Sequence, residues 1–344
     1  MADAAVSSNG RPLNPPRFMQ QHFRLVGSAR ALPRRAIAAE ALDSRAGLPA
    51  GWTLRHTGVR WRHEALEPEN GTTLGSDVVR AAVAAAGLRI ADIDLLIDAS
   101  LTLQQPVPSN AALLQEALGA EAAGCATLDV HASCLGFVAA LQVANGLFAA
   151  GAHRRAAIVC AETPLRGVNW ADPDSAHLMG DGAAAVVVEA RAPLPGCVIR
   201  LQTFGAGAQL CQVQGGGHRL PSYHFTPADR ARYQFEMDGK GVHKFASQHL
   251  PALVREALAA SGATMEELHV IPHQASAPSI ELLARRLGVA PGRLHSTVAE
   301  HGNLVAAGIP FVLHAARAAL PAGSRLMLIG TAAGYSQGVA IFTL

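Results

Sequence analysis

Three residues at the ends of apolar segments have the chemistry of a reaction centre. Cys134 lies in Leu128-Asp-Val-His-Ala-Ser-Cys134-Leu-Gly-Phe, where a strand pattern gives way to a helical one. A thiol at a helix N-terminus faces the positive end of the dipole and unpaired backbone N–H groups, which favour thiolate. Gly136 leaves room for a substrate at that mouth. His273 closes the strand-like Val270-Ile-Pro-His273, and doubly wound folds bind ligands at the C-terminal edge of their sheets. Asn303, in Glu300-His-Gly-Asn303-Leu-Val, falls between a strand-like run at 293–298 and a helical pattern at 304–319. Each has a plainer reading. Buried free cysteines are usually inert, which is how Cys125, Cys160, Cys197 and Cys211 are read. Most of the fifteen histidines must be solvated or structural, and Gly-Asn is commonly a simple turn.

Taken together, a thiolate, a neutral imidazole and an amide suit acyl transfer: the sulfur attacks a thioester while the other two hydrogen-bond to oxygen where negative charge develops. Papain-like hydrolases also run Cys, His, Asn along the chain. Here, however, the cysteine is mid-chain after an apolar strand, and its flanks lack the Cys-Gly-Ser-Cys-Trp pattern. Cys125, His131 and Cys134 match no usual zinc spacing, so no metal site is expected.

The elements that must carry these residues follow from periodicity and stop signals. Helices are predicted over 76–87, 109–118 and 135–148, with Gly87, Gly119 and Gly151 as stops, and strands over 93–97, 126–130 and 156–160. Their alternation argues for βαβ units and a largely parallel sheet. The chain then repeats itself. Val78–Asp98 lies over Leu253–His273 without a gap, carrying Val79/Val254, Arg80/Arg255 and Gly87/Gly262 in the same helix–stop–strand order. That is the trace of an internal duplication, and it makes the Asn303 position the second-half counterpart of the Cys134 position. The expected organisation is a flexible extension at 1–22, an N-terminal half at 23–190 and a C-terminal half at 191–344.

Composition bounds the function. Half of the 344 residues are hydrophobic and only 16% are charged, which excludes a disordered chain. A net charge of +2 excludes a basic nucleic-acid binder. An odd count of five cysteines argues for free thiols in a reducing compartment. With no signal-peptide run and no uninterrupted membrane-length stretch, a cytoplasmic protein is expected. The small-residue bulk suits helices pressed between two sheets.

The chain resembles the β-ketoacyl-acyl-carrier-protein synthase III (KAS III) group of the thiolase superfamily. The resemblance runs from about Phe23 to Leu344 through GWTLRHTGVRWRH (51–63), SCLGFVAAL (133–141), MGDGAAAVVV (179–188), FEMDGKGVHKFA (235–246), PHQAS (272–276), HGN (301–303) and GYSQGVAIF (334–342). It implies a five-layered αβαβα thiolase-like α/β fold of two duplicated halves, usually a homodimer. It further implies that Cys134 accepts an acyl group and that His273 and Asn303 hold the thioester carbonyl of malonyl-acyl carrier protein as carbon dioxide leaves. The backbone N–H groups of Cys134 and Ala333 would form the oxyanion hole. No resident cofactor is implied, since acyl-coenzyme A or an acyl-carrier protein is the substrate.

Departures from the family pattern bear on that substrate. The coenzyme A-clamping tryptophan is kept as Trp52, but one family arginine is His56 and another is Pro278. Arginine supplies a bidentate fork for phosphate, so acetyl-coenzyme A is not the expected primer. Val107 and Thr331 stand where the family has phenylalanines along the acyl channel, which predicts room for medium-chain or branched acyl groups. Related branches pass the acyl group to an alcohol or amine, or join two acyl chains using a partner-subunit glutamate; the 101–112 segment has no carboxylate. An acidic acyl carrier protein is the expected partner, docking on Lys240 and Lys244 with Arg230 and Arg232 nearby.

Overall fold

The computed structural model describes residues 20–344. In the first half, β1 (Gln21–Ala31) is followed by a ribbon of β2 (Arg35–Ala38) and β3 (Trp61–Glu64), between which lie α1 (Ala39–Arg45) and α2 (Trp52–Thr57). Then come α3 (Gly71–Ala85), β4 (Leu95–Asp98), α4 (Asn110–Leu118), β5 (Ala126–Asp129), α5 (Gly136–Ala149), β6 (Arg155–Glu162), a one-turn α6 (Pro173–Ala176) and β7 (Gly182–Leu194). The second half holds β8 (Val198–Thr203), a short ribbon of β9 (Cys211–Gln212) and β10 (Glu236–Met237), α7 (Gly239–Ser261), β11 (His269–Pro272), α8 (Ala277–Leu287), α9 (Val298–His301), α10 (Gly308–Ala319), β12 (Arg325–Ala332) and β13 (Ser336–Thr343).

The two main sheets have one topology. The first runs β1-β7-β6-β4-β5 and the second β8-β13-β12-β11. In both, the first two pairs in that order are antiparallel and the next, β6–β4 or β12–β11, is parallel, as is β4–β5. Beyond β11, Leu294 pairs in parallel with Val270, which is all that survives of a fifth strand. The strand expected at 293–298 is therefore replaced by this single bridge, a 3₁₀ turn at Pro291–Arg293 and the start of α9. The sheets are mixed rather than largely parallel, because β7 and β13 each return antiparallel to the strand before them.

Side-chain alternation along the strands builds three apolar layers. Leu95, Ile97, Ile158, Val186 and Val188 point inward, with Leu326, Leu328, Ala340 and Phe342 of the second sheet, onto α5 and α10. Leu96, Ala157, Val159, Ala185 and Val187 point outward onto α3 and α4, while Met327, Ile329, Val339 and Ile341 point outward onto α7. The order of layers is αβαβα. The middle layer is not free of aromatics: Phe137, Phe148 and Phe311 are buried in it. The alanine-rich α3 lies in an outer layer instead.

Residues 1–19 of the expected extension lie outside the described residues. The first strand takes in Gln21 and His22, two residues earlier than expected: the Gln21 side-chain amide donates to Thr343 O at 2.9 Å and its oxygen accepts from Thr343 N at 3.0 Å. Likewise, β7 runs through the expected 190/191 division to Leu194. None of the described helices is long and apolar enough to cross a membrane.

Candidate active site

Cys134 sits in a 3₁₀ turn, Ser133–Leu135, that leads into α5. Ser133 is driven to φ 48°, a costly region for a residue with a side chain. The second half repeats the device, with Val305 at φ 51° in the 3₁₀ turn Val305–Ala307 ahead of α10. These turns pack against each other, the first also against β12 and the second against β6. Close approach is enforced by Gly136, where an added Cβ would lie 2.0 Å from Ala99 O and 3.4 Å from the Ala306 Cβ.

The sulfur is not a resting thiolate. Burial pushes the Cys134 thiol up to about 12, with the nearby Glu162 carboxyl and Cys211 adding to the shift; the backbone N–H groups of Cys134 and Ala333 pull the other way. The two N–H groups at the helix mouth favour the thiolate, but desolvation outweighs them. Those are the two N–H groups that the sequence reading placed in an oxyanion hole.

His273 follows β11 directly. Its N–H donates to Ile329 O at 2.7 Å, and the Gly330 backbone lies so near that a Cβ there would come within 2.6 Å of the His273 Cβ. The same added Cβ would lie 3.4 Å from the Leu135 side chain, beside Cys134. Burial pushes the His273 imidazole down to about 4, so it is neutral at pH 7. Its Nδ1 is buried without a partner.

Asn303 is pinned through both backbone and side chain. Its N–H donates to Leu178 O at 2.8 Å, and its carbonyl accepts from Gly180 N at 3.1 Å. Its Oδ1 accepts from Val305 N at 2.9 Å. With the oxygen committed, the side-chain NH₂ is the group left to donate. The 3₁₀ turns ahead of α5 and α10 therefore converge, and Gly330 joins the His273 strand to them. Cys134 also closes an apolar cluster formed by Leu165, Val168, Met179 and Val305, with Leu101, Trp170 and Phe235 packed around it.

Two groups escaped the sequence reading. Glu162 is fully buried at the end of β6; it accepts from Leu101 N at 2.7 Å, from Thr102 N at 2.9 Å and Oγ1 at 2.7 Å, and from the Ala306 N–H. Burial pushes its carboxyl up to about 7. An acid closing an otherwise apolar strand is the signal that could have found it. Cys211, read as an inert core residue, is only half-buried, and burial pushes its thiol up to about 11; Cys125 is half-buried too, whereas Cys160 and Cys197 are buried as expected.

The remaining candidates are spread around this centre. Trp52 opens α2, and its ring stacks on His56 at 4.1 Å and 16°. Thr331 lies on β12, paired with Gln337 of β13. Val107 is 81% exposed and takes no part in the cluster around its own Cys134. Lys240 and Lys244 are exposed on the first turns of α7, one helical turn apart on the same side.

A duplicated αβαβα fold with a cysteine, a neutral histidine and an amide at its central junction defines a thiolase-like acyltransferase. The family described as 3-oxoacyl-(acyl-carrier-protein) synthase III matches residues 128–214, and its C-terminal counterpart matches 258–344. β-Ketoacyl-acyl-carrier-protein synthase III of Neisseria gonorrhoeae is 34% identical over 325 residues, covering 93% of this chain and 99% of the relative. That of Rhizorhabdus wittichii is 34% identical over 321 residues, covering 92% and 97%. Among solved structures, the Aquifex aeolicus synthase III superposes with a TM-score of 0.82 at 27% identity, over 94% of this chain and 100% of that one. The priming β-ketosynthase of the R1128 polyketide pathway superposes at 0.85 and 29%, over 97% and 99%. Xanthomonas campestris OleA, at 0.81 and 21%, shares the fold. The chain belongs to the β-ketoacyl-acyl-carrier-protein synthase III family, and it is an acyltransferase.

Proposed function

We propose that this enzyme condenses an acyl group held on Cys134 with malonyl-acyl carrier protein, releasing carbon dioxide and a β-ketoacyl thioester. The observation that carries the reading is the meeting of the Cys134 turn, with the N–H groups of Cys134 and Ala333 at its sulfur, and two side chains with free polar atoms, His273 and Asn303. In the first half-reaction Cys134 sulfur attacks the acyl thioester carbonyl. The two N–H groups take the oxyanion, and the departing thiol leaves with the cysteine's proton. In the second, the malonyl thioester loses its carboxylate as carbon dioxide. Asn303 Nδ2 and His273 Nε2 donate to the thioester oxygen as the enolate forms; a neutral imidazole can do this without giving up a proton. The enolate carbon attacks the acyl carbonyl and Cys134 leaves as thiolate, recovering a proton.

The donor is a carrier-borne acyl group of medium length or branched shape rather than acetyl-coenzyme A. His56 covers one face of Trp52 where the family places an arginine, and Val107 and Thr331 leave the acyl channel without two phenylalanine rings. The enzyme works as a cytoplasmic homodimer, in which the exposed Leu103 and Val107, 53% and 81% accessible in one protomer, are covered by the partner. Lys240 and Lys244 meet the acidic carrier protein. The test is a panel of acyl-coenzyme A and acyl-carrier thioesters of two to ten carbons, read by intact mass with Cys134→Ala as control. Acylation by an eight-carbon carrier thioester ahead of acetyl-coenzyme A is expected. Fast acetylation with none by the longer donor would overturn the chain-length reading.

A further inference from the structure

A polar relay runs behind the Trp52 face of the site and ends on an unused imidazole. Asp43 is buried in α1, with Oδ1 accepting from Thr53 N at 2.9 Å and from Thr53 Oγ1 at 2.6 Å. Thr53 Oγ1 also lies 2.7 Å from His177 Nδ1. The Thr53 hydroxyl has one proton, and the carboxylate takes it. His177 Nδ1 must then be the donor in the second contact, which leaves the lone pair on Nε2. The carboxylate is ionised: burial opposes this, but the hydrogen bonds from Thr53, Gly51 and Trp52 outweigh it and hold the carboxyl below its ordinary range.

The imidazole is equally well placed in space. His177 is 1% exposed, and its ring is edge-on to Trp52 at 5.7 Å and tilted at 60° to Trp170 at 6.4 Å. Arg62, fully buried, fixes the same turn by donating to Ala176 O at 3.2 Å and Met179 O at 2.8 Å, and to His177 O. Nε2 has no partner among the described residues, and unlike His273 Nδ1 it is not fully enclosed, although the residue as a whole keeps only 1% exposure. Trp170 stands between His177 and the apolar cluster that Cys134 closes. His177 thus lies against Trp52, the ring that the family sets on coenzyme A, and against Trp170, which packs on the cluster shared with Cys134.

We propose that His177 Nε2 accepts a hydrogen bond from an amide N–H of the pantetheine arm shared by coenzyme A and carrier-protein thioesters, with Asp43 and Thr53 fixing the tautomer that makes it an acceptor. His177 is a positioning and specificity residue. The inference rests on the thioester chemistry proposed above and adds the group that reads the arm.

The test measures single-turnover acylation of Cys134 by intact mass, with acyl-pantetheine, the acyl-coenzyme A and acyl-carrier forms of the same chain, and an S-ethyl thioester that has no amide. In His177→Phe, which keeps an aromatic ring, the half-saturating concentration of the three pantetheine-bearing donors is expected to rise about five- to tenfold, with the limiting rate within about twofold. The S-ethyl donor should be unaffected. Thr53→Val, which removes only the relay hydroxyl, should give a smaller shift of the same pattern, and His177→Gln should restore part of the loss. Equal loss with every donor, a loss in limiting rate alone, or a shift confined to one carrier would overturn the proposal. Failure of every thioester to acylate the unaltered enzyme would remove the functional reading together with this one.

Discussion

At the residue scale, the reactivity of Cys134 is set by a contest that desolvation wins over two N–H groups, and Glu162 adds to its side. Ionised Glu162 raises the cost of a second negative charge at the sulfur. Glu162→Gln should therefore make Cys134 more reactive: alkylation by iodoacetamide at pH 8.5 should accelerate about three- to tenfold, one pKa unit being tenfold in thiolate. An unchanged rate in a folded variant would show that the carboxylate does not act on the sulfur. His273 and Asn303 should behave differently. His273→Ala and Asn303→Ala should leave Cys134 acylation within a few-fold while lowering condensation by about 100-fold or more, the usual effect of removing a donor from a developing oxyanion. A parallel fall in both half-reactions would assign them to acylation instead. Cys134 and His273 were legible because each ends an apolar run at a turn, and Asn303 because the Gly302 turn leads into an apolar helical pattern. His177 was not, because nothing in Ser175-Ala-His-Leu-Met shows that its partners are Thr53 and Asp43, more than a hundred residues earlier.

At the element scale, the site depends on turns pressed closer than side chains usually permit. Gly136→Ala would drive a methyl group into Ala99 O, so α5 and its leading turn must shift. The expected cost is about 2–3 kcal/mol in stability, read by denaturant unfolding, with loss of acylation; a variant of unchanged stability and activity would refute the tight junction. A second element carries a pH signature. Burial pushes the Asp98 carboxyl, at the end of β4, up to about 7, with Asp129 and Glu162 adding to the shift against the Ser100 hydrogen bonds. Between its unfolded value near 4 and about 7, the folded chain holds a proton that the unfolded chain has released. This group's stabilising contribution is thus lost as pH rises through that window. Asp98→Asn keeps the shape and cannot titrate, so its melting temperature relative to the parent should climb between pH 5 and 7.5 and then level off. Parallel melting profiles would contradict the assignment. Helix stops were readable in advance: Gly87, Gly119, Gly151 and Gly262 all lie at positive φ. The strand at 293–298 was misread because its apolar positions serve α9 and one bridge rather than a ladder.

At the scale of the whole molecule, duplication places one chemical turn from each half at a common junction. The 78–98 and 253–273 repeat exposed that symmetry, and the matching sheet orders carry it through β1-β7-β6-β4 and β8-β13-β12-β11. The sheets' mixed direction was hidden because a long apolar strand reads alike whichever way it pairs. The two lysines lie on the helix that the repeat pairs with α3, facing solvent. Lys240→Glu with Lys244→Glu should raise the KM for malonyl-carrier protein about tenfold at low salt and leave a small thioester donor untouched. Unchanged carrier kinetics would move the docking surface elsewhere.

The central claim is decarboxylative carbon–carbon bond formation from acyl-Cys134. It is tested most directly by loading the enzyme with an eight-carbon acyl group, adding malonyl-carrier protein labelled in its free carboxyl, and counting released carbon dioxide against β-ketoacyl product. One carbon dioxide per acyl group consumed, abolished in Cys134→Ala and lost with His273→Ala, is the predicted result. Acyl transfer to an added alcohol or amine with no labelled carbon dioxide would contradict it.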